Sequence, residues 1–493
     1  MNGWNVAGRA TSGVRRRSRG RDVGRALVGG LLVASLASLI PPAAAAQEAM
    51  SAEEAAAALE RFEAQRAGAG EATVPVPDRA DRGVIDQAAA DLRRIEVDVV
   101  AAVQEERAAD WGASTPDERF VWVEYSADAR ERRQIDFARE ALVFESLDGA
   151  IDAEGLRRRV RAALVEGVAE AVARDPIAQG IERRAAVALE ADDALASGEL
   201  PSTPILWPVL TGETTVEPDA LEAVVGLLVA RAQTREREVG GETMQQVEIP
   251  LDPATVLAQL ERLQRGDFAA PMPELAPQEI PRPSRSDLEA VPPPAPTEPE
   301  KARPKSTPRQ ARVPRRFPAR ARGVLDLVDR YAGPRKLDPA LVFAIIETES
   351  AFNPLARSPA PAYGLMQIVP RSAGRDASAV LYGRSRLLSP SYLFDAERNI
   401  RIGTIYLDIV MNRYLAGIRD PRSRLYCAIA AYNTGAGNVF RAFTGRTRPK
   451  AAFREINALS PEDVYRRLVW ELPYAETRRY LTNVVQRMDK YRR

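Results

Sequence analysis

A proline-rich segment divides the chain and limits how it can fold. Residues 271–314 hold 13 of the 37 prolines, mixed with Glu, Lys, Arg and Ser. Such a segment has too little apolar surface to offset the entropy of ordering it, and proline stiffens it towards polyproline II geometry. The sequence therefore predicts a semi-rigid linker at 271–314, with a docking motif as the less favoured alternative and a folded unit on each side.

The region before this linker mixes two periodicities. An Ala-rich amphipathic pattern over 88–108 predicts a helix, and short aromatic and β-branched runs then indicate an antiparallel meander. These runs lie at 120–125, 133–137 and 141–145. Helical patterns follow at 153–174, 178–197 and 217–236, with a strand-like run at 246–249. We therefore expect an α+β accessory domain over residues 88–270.

The region after the linker, residues 315–493, is helical in pattern almost to its end, which predicts an all-α domain. Asp338-Pro339 is a good helix start, because an N-cap side chain is followed by proline in the first turn. Asn353-Pro354 is a good stop. The patterns predict helices over 338–350 and 366–372, among others. The fold class is thus multidomain, with an all-α C-terminal domain.

The N-terminus has the pattern of an export signal. Six arginines between positions 15 and 25 precede a mostly apolar stretch at 26–40, and small residues lead up to Gln47. This order predicts a signal peptide at 1–46, with an uncleaved membrane anchor as the alternative. An Ala/Glu-rich spacer follows at 47–87. We expect export to the periplasm, with membrane association only if the signal is retained.

Two absences in the composition exclude whole classes of chemistry. The chain has no histidine, which rules out Ser-His-Asp and Cys-His catalysis and zinc sites that need imidazole. Cys427 is the only cysteine, so neither a disulfide framework nor a lipid anchor near the N-terminus can form. We expect no metal and no cofactor. Any enzyme here must use carboxylates, hydroxyls, amides or lysines.

The net charge of +1 conceals three differently charged parts. Residues 1–46 carry +6, residues 47–311 carry −21 and residues 312–493 carry +16. A basic C-terminal part favours an anionic partner. Direct binding of nucleic acid is the less favoured explanation, since charge spread over a helical domain is more often a solvated surface.

One carboxyl stands out in the helix predicted over 338–350. Val342, Ile345 and Ile346 form an apolar stripe. On a helical wheel Glu349 lies about 20° from Val342 and about 40° from Ile345, so it continues that stripe. Burial raises the pKa of a carboxyl, as a general acid near neutral pH requires. The alternative is a structural carboxylate paired with an arginine such as Arg357.

Four ordered motifs surround this candidate. They are Glu349-Ser350, Gly364-Leu365-Met366-Gln367, Ala431-Tyr432-Asn433-Thr434-Gly435 and Glu476-Thr477-Arg478-Arg479-Tyr480. Together they resemble the lysozyme-like SLT domain of lytic murein transglycosylases, over about residues 320–493. Further stretches, among them Val121-Trp122-Val123-Glu124-Tyr125 in the accessory domain, are similar to a membrane-bound branch of that family.

The resemblance implies a function. Such enzymes cleave the β-1,4 bond between N-acetylmuramic acid and N-acetylglucosamine in peptidoglycan without water, leaving 1,6-anhydromuramic ends. Glu349 would act as the single acid and then base. The implied substrate-binding residues are Ser358, Met366, Gln367, Tyr432, Asn433, Glu476 and Tyr480. For Met366, Asn433 and Glu476, structural roles as core filler, turn former and ion-pair partner are serious alternatives.

The resemblance also implies partners and a location in the cell envelope. Glycan strands of peptidoglycan would be the substrate. For the acidic accessory domain, whose charge is opposite in sign to that of the C-terminal part, we expect a positioning or regulatory role and contact with periplasmic cell-wall proteins. The membrane-bound branch is usually a lipoprotein, but no cysteine follows this signal. Two other functions stay open: a muramidase that uses water, and a glycan-binding protein that has kept the fold without catalysis.

Overall fold

The computed structural model describes residues 79–111, 117–189, 194–239, 242–265 and 317–492. We call 79–265 the N-terminal region and 317–492 the C-terminal region. The elements of the N-terminal region are α1 (Arg79–Trp111), β1 (Val121–Tyr125), β2 (Glu131–Asp136), β3 (Ala141–Ser146), α2 (Ala153–Val165), α3 (Val168–Arg174), α4 (Pro176–Leu189), β4 (Leu195–Ala196), α5 (Trp207–Thr211), α6 (Pro218–Ala230), β5 (Gln233–Val239), β6 (Glu242–Pro250) and α7 (Pro253–Gln264). The helix predicted over 88–108 lies within α1, and the predicted meander is confirmed as β1, β2 and β3.

Five of these strands form an antiparallel sheet in the order β1-β2-β3-β6-β5. Its register places Trp122 opposite Ile135, Ile135 opposite Leu142, and Leu142 opposite Ile249. All four side chains are buried. This apolar row crosses four strands on one face, which is the reason that alternating sequences of this kind pair in a single register.

The C-terminal region is built almost entirely of helices. Its elements are α8 (Ala319–Arg322), α9 (Leu325–Ala332), α10 (Pro339–Ser350), α11 (Arg375–Tyr382), β7 (Leu387–Leu388), α12 (Pro390–Leu393), α13 (Ala396–Ile409), α14 (Pro421–Thr434), α15 (Ala436–Thr444), α16 (Pro449–Asn457), α17 (Pro461–Glu471) and α18 (Ala475–Tyr491). Short π-helical turns precede α11 and follow α13. Helix α10 packs against α18, and α14 packs against α15, α17 and α18.

The two regions are joined by hydrogen bonds and by a shared core. Strands β4 and β7 pair in parallel, with Leu195 opposite Leu387, and the Leu387 amide donates to the Ala194 carbonyl at 2.7 Å. One hydrophobic cluster continues from the sheet, at Trp122, into α10, at Phe343. The regions therefore pack as neighbours with a continuous apolar interior.

Several predicted helices are wrong in part or in whole. The pattern at 178–197 predicted one helix, but α4 ends at Leu189 and β4 occupies Leu195–Ala196. The pattern at 153–174 is divided into α2 and α3. The pattern at 217–236 predicted one helix, but α6 ends at Ala230 and β5 begins at Gln233. The pattern at 366–372 also predicted a helix, whereas a tight turn occupies 364–367, closed by a bridge between Tyr363 and Ile368. In the segments at 217–236 and 366–372 the spacing of apolar residues is compatible with a helix. Their conformation is instead decided by contacts with residues distant in the sequence.

Several predictions fall on segments outside the described residues. These are the signal peptide at 1–46, most of the spacer at 47–87 and the linker at 271–314. Helix α1 begins at Arg79, so it crosses the boundary that we expected at residue 88. None of the described helices is both long enough and apolar enough to cross a membrane.

Candidate active site

Helix α10 carries Glu349 in its last turn. The Asp338 side chain caps the helix by accepting from the Ala340 amide at 2.9 Å, and Pro339 occupies the first turn. The helix ends at Ala351, whose left-handed φ of 50° turns the chain sharply. Nine of its twelve residues are buried, so α10 is a core helix, and Glu349 in its last turn is one of its three partly exposed residues.

Residues Tyr363 to Ile368 form a turn beside the end of α10. Ser350 links the two, since its hydroxyl contacts the carbonyls of Ile346 and Leu365 at 3.0 and 2.9 Å. Gly364 has a φ of 75°, and a Cβ there would lie 2.3 Å from both the Asn399 amide and the Leu393 carbonyl. Only glycine fits this approach.

Asn399 organises that turn from α13, and the motifs did not reveal it. Its side-chain amide donates to the carbonyls of Tyr363 and Leu393, both at 2.8 Å, while its oxygen accepts from the Met366 amide at 2.8 Å. Asn399 is completely buried. A buried amide with all these partners fixes the turn rigidly.

The Glu349 carboxyl lies in surroundings that favour its protonated form. The residue is only partly exposed, and burial of the carboxyl raises its pKa from 4.5 to about 7, helped by the negative charge of Glu476. An interaction with Tyr480 and the positive charge of Arg119 act in the opposite direction. Desolvation is thus the dominant effect, as the apolar stripe predicted.

Two tyrosines flank this carboxyl. The Tyr432 hydroxyl donates to the Met366 carbonyl at 2.9 Å, and burial followed by the charge of Glu349 raises the pKa of Tyr432 well above 10. The Tyr480 hydroxyl interacts with Glu349 in a geometry looser than an ordinary hydrogen bond, since within the described chain it has no partner of that quality. Both tyrosines therefore stay neutral hydroxyl groups beside the carboxyl.

Glu347, two residues earlier on α10, has the opposite environment. Tyr491 donates to it at 2.8 Å and Lys490 at 3.0 Å. Burial acts to raise its pKa, but these hydrogen bonds and the nearby positive charges outweigh burial and lower it. Glu347 is therefore an ionised structural carboxylate on the other side of the helix.

The remaining predicted site residues differ in exposure and contacts. Gln367 donates to the carbonyls of Ala356 and Gly364, and its buried side-chain oxygen has no hydrogen-bond partner among the described residues. Ser358 is partly buried and bonds to the Ala360 carbonyl. Asn433 accepts from Thr477 at 2.7 Å. Ser358 and Gln367 lie in the segment that follows α10, and Asn433 lies in α14.

The contacts of three residues differ from those considered in the sequence analysis. Met366 has no exposed surface and contributes its backbone carbonyl and amide, so core packing describes its side chain better than contact with a ligand. Glu476 was considered as a partner of Arg478 or Arg479, but its ion-pair partner is Arg119, at 3.5 Å. Arg357, considered as a partner of Glu349, pairs instead with Glu118 and Asp175.

Among the described residues no cluster of three or more His, Cys, Asp or Glu side chains is arranged to hold a metal ion. The polar groups that surround Glu349 are the Tyr480 and Tyr432 hydroxyls, the Glu476 carboxylate and the Arg119 guanidinium. This arrangement can hold a proton on Glu349 near neutral pH and release it. It can therefore support acid–base chemistry by one carboxyl.

Comparison with known proteins shows what part of the C-terminal region resembles. Residues 326–453 match the family model described as "Transglycosylase SLT domain". The C-terminal region is similar to that domain. The match includes α10, the turn at 364–367 and the tyrosine at 432, but it ends before α18.

Curated relatives carry the same resemblance. The chain is 45% identical over 181 residues to membrane-bound lytic murein transglycosylase C of Sodalis glossinidius, covering 37% of this chain and 50% of that protein. It is 46% identical over 182 residues to the protein of the same name from Pectobacterium atrosepticum, again covering 37% and 50%. The chain thus spans about half the length of the curated relatives it matches.

A solved structure with a related sequence is the 70 kDa soluble lytic transglycosylase of Escherichia coli. It is 29% identical, with a TM-score of 0.27, and the match covers 35% of this chain and 25% of that one. The transglycosylase SLT resemblance inferred from the four motifs is therefore confirmed by the family model and the curated relatives.

Proposed function

We propose that this chain is a peptidoglycan lytic transglycosylase and that Glu349 is its single catalytic carboxyl. The observation that carries the proposal is the environment of Glu349: a partly exposed carboxyl at the end of a buried helix, with a pKa raised to about 7 by burial. The resemblance to lytic murein transglycosylases supplies the substrate class.

The proposed reaction moves one proton in each direction. Glu349 in its protonated form donates to the glycosidic oxygen as the bond from muramic acid C1 to that oxygen breaks. The resulting carboxylate then accepts the proton of the muramic C6 hydroxyl, whose oxygen bonds to C1 and closes the 1,6-anhydro ring. Water is not consumed, and Glu349 ends protonated. A pKa near 7 allows one group to serve both steps near neutral pH.

The neighbours of Glu349 have supporting roles in this proposal. The neutral hydroxyls of Tyr432 and Tyr480 can orient the carboxyl in either protonation state. The unpartnered side-chain oxygen of Gln367 is suited to accept from an acetamido N–H or a sugar hydroxyl. Ser358 stands on the adjoining loop, where its hydroxyl can contact substrate or the carboxyl.

A second candidate function is hydrolysis of the same bond, because Glu476 is a second carboxylate that interacts with Glu349. Two-carboxylate glycosidases use such a partner as nucleophile or base. The pairing of Glu476 with Arg119 and its 41% exposure are compatible with either reaction, because both keep a carboxylate ionised. The resemblance to lytic murein transglycosylases weighs against hydrolysis. We therefore favour the non-hydrolytic reaction.

The proposed setting is the cell envelope. A signal peptide at 1–46 would export the chain to the periplasm, and the linker at 271–314 would follow the accessory domain. The acidic charge of 47–311, opposite in sign to that of 312–493, supports a positioning or regulatory role for the accessory part. Envelope proteins that bind it are the partners we propose.

Digestion of purified sacculi tests the proposed function. Mass spectrometry of the muropeptides should show ends that are lighter than reducing ends by one water, which is the signature of the anhydro product. Reducing ends alone would establish hydrolysis instead. Sacculi that stay intact after exposure to folded wild-type protein, although the protein binds them, would indicate a noncatalytic glycan-binding protein.

A further inference from the structure

Arg119 is a cation that the N-terminal region places beside the candidate active site. It lies just before β1, outside all four motifs of the C-terminal region. Its guanidinium donates to both oxygens of Asp117, at 2.7 to 3.1 Å, and approaches the Glu476 carboxylate at 3.5 Å. It also lies over the Phe120 ring, 5.2 Å from its centre.

The backbone around Arg119 is fixed by the loop that follows the Glu349 helix. The Asn353 side-chain amide donates to the Arg119 carbonyl at 3.4 Å, and the Arg357 amide donates to the Glu118 carbonyl at 3.1 Å. These bonds join residues more than 230 positions apart in the chain. Because they use backbone atoms of the segment 118–119, they do not depend on the Arg119 side chain.

Ion pairs strengthen the same junction. The Arg357 guanidinium contacts Glu118 at 2.6 Å and Asp175 at 2.7 Å, and its side chain is only 6% exposed. Arg107 of α1 adds longer contacts to the same two acids. A buried arginine held by two carboxylates keeps one fixed position, which fixes the segment before β1 against residues 351–357, the loop that follows α10.

The groups that face Glu349 come from several elements. Arg119 supplies a positive charge, Glu476 at the start of α18 supplies a negative charge, and Tyr480 and Tyr432 supply hydroxyls. Arg119 lowers the pKa of Glu349 and Glu476 raises it. Arg119 also pairs with Glu476. Loss of the Arg119 side chain would therefore remove a positive charge near Glu349 and leave the Glu476 carboxylate without its cation.

We propose that Arg119 is a positioning residue, supplied by the N-terminal region, that neutralises Glu476 and stabilises the ionised form of Glu349 in the active site. This inference rests on the proposed function, in which Glu349 is alternately protonated and ionised. It assigns the N-terminal region a direct electrostatic part in the reaction. The SLT segment at 326–453 is then electrostatically incomplete without the segment 117–119.

The test measures the protonation of Glu349 in the full chain, by carbon NMR of protein labelled at glutamate carboxyls. The Glu349 signal is assigned by its loss in E349Q, and its midpoint is followed with pH. In R119Q the midpoint should rise by roughly half a unit to one unit, since a unit charge is lost near the carboxyl. R119K keeps the charge and should restore a midpoint near that of wild type.

Two further variants sharpen the test. E476Q removes the opposing charge and should lower the midpoint. R139Q is the matched control, because Arg139 is an exposed arginine of the same region that pairs with Glu248, and its midpoint should equal that of wild type. If R119Q fails to fold, R119M replaces it, because methionine is an unbranched, uncharged side chain that can also pack against the neighbouring Phe120 ring.

The pH dependence of sacculus cleavage gives the second measurement. The alkaline limb of kcat/KM, which follows loss of the proton from Glu349, should move to higher pH in R119Q and to lower pH in E476Q. An unchanged or lowered midpoint in R119Q would overturn the inference. Wild-type protein that cleaves no glycan would refute the proposed function instead, and the NMR midpoints would still decide the role of Arg119.

Discussion

Two glutamates on one helix, Glu349 and Glu347, should respond to pH in opposite directions. The pKa of Glu349 is raised from 4.5 to about 7, so its ionisation above neutral pH costs stability in the folded state. A rise of this size lowers the free energy of unfolding by about 3 kcal/mol well above pH 7. After allowance for the partial exposure of the residue, the expected loss is about 2–3 kcal/mol. That free energy should be recovered in E349Q.

The direction of this pH dependence follows from the linkage between protonation and folding. Because the folded pKa lies above the unfolded one, the contribution of Glu349 is fully present below pH 4.5 and is lost as pH rises through about 7. The difference in unfolding free energy, E349Q minus wild type, should therefore grow by about 2–3 kcal/mol between pH 4 and pH 8. Urea unfolding followed by tryptophan fluorescence at several pH values measures it.

E347Q is the matched control for this experiment. The pKa of Glu347 is lowered, so its stabilising contribution is present above pH 4.5 and is lost as pH falls through the folded pKa. E347Q should be less stable than wild type at pH 8, with a deficit that shrinks in acid. A flat difference between E349Q and wild type across this range would refute the claim that Glu349 is held in its protonated form.

Three further substitutions test other parts of the structure. G364A should lower the free energy of unfolding by about 2–4 kcal/mol and reduce cleavage, because its Cβ would collide with Asn399 and Leu393; thermal unfolding near that of wild type would contradict this. Y432F should lower the free energy of unfolding by about 1–2 kcal/mol, because the Met366 carbonyl loses its donor, and should also lower kcat. Urea titration measures the stability and initial rates measure kcat, and unchanged values would exclude a contribution from the Tyr432–Met366 hydrogen bond. R357M should destabilise by about 3–5 kcal/mol, because Glu118 and Asp175 lose their shared cation; calorimetry showing a loss below 1 kcal/mol would contradict the account of this junction.

Local patterns in the sequence predicted the features that depend on nearby residues. The start of α10 could be predicted because Asp338 and Pro339 act within one turn of it. The position of Glu349 could be predicted because helical periodicity places it on the same side as Val342. The meander could be predicted because its alternation matches the row from Trp122 to Ile249.

Features that depend on distant residues could not be predicted in this way. Nothing near Arg119 indicates that Glu476, at the far end of the chain, lies 3.5 Å from its guanidinium. The sequence pattern predicts a helix over 366–372, because the apolar residues there have a helical spacing, but residues 364–367 form a turn. Its conformation depends on the positive φ of Gly364 and Gln367 and on Asn399, a residue more than 30 positions away.

The central claim is that Glu349 alone transfers both protons and that no water enters the product. Digestion of sacculi in water enriched with oxygen-18, followed by mass spectrometry of the muramic ends, tests it most directly. We predict unlabelled 1,6-anhydro ends from wild type and from E347Q, and no new ends from E349Q although it still binds sacculi. Labelled reducing ends from wild type, or cleavage by E349Q at the wild-type rate, would contradict the claim.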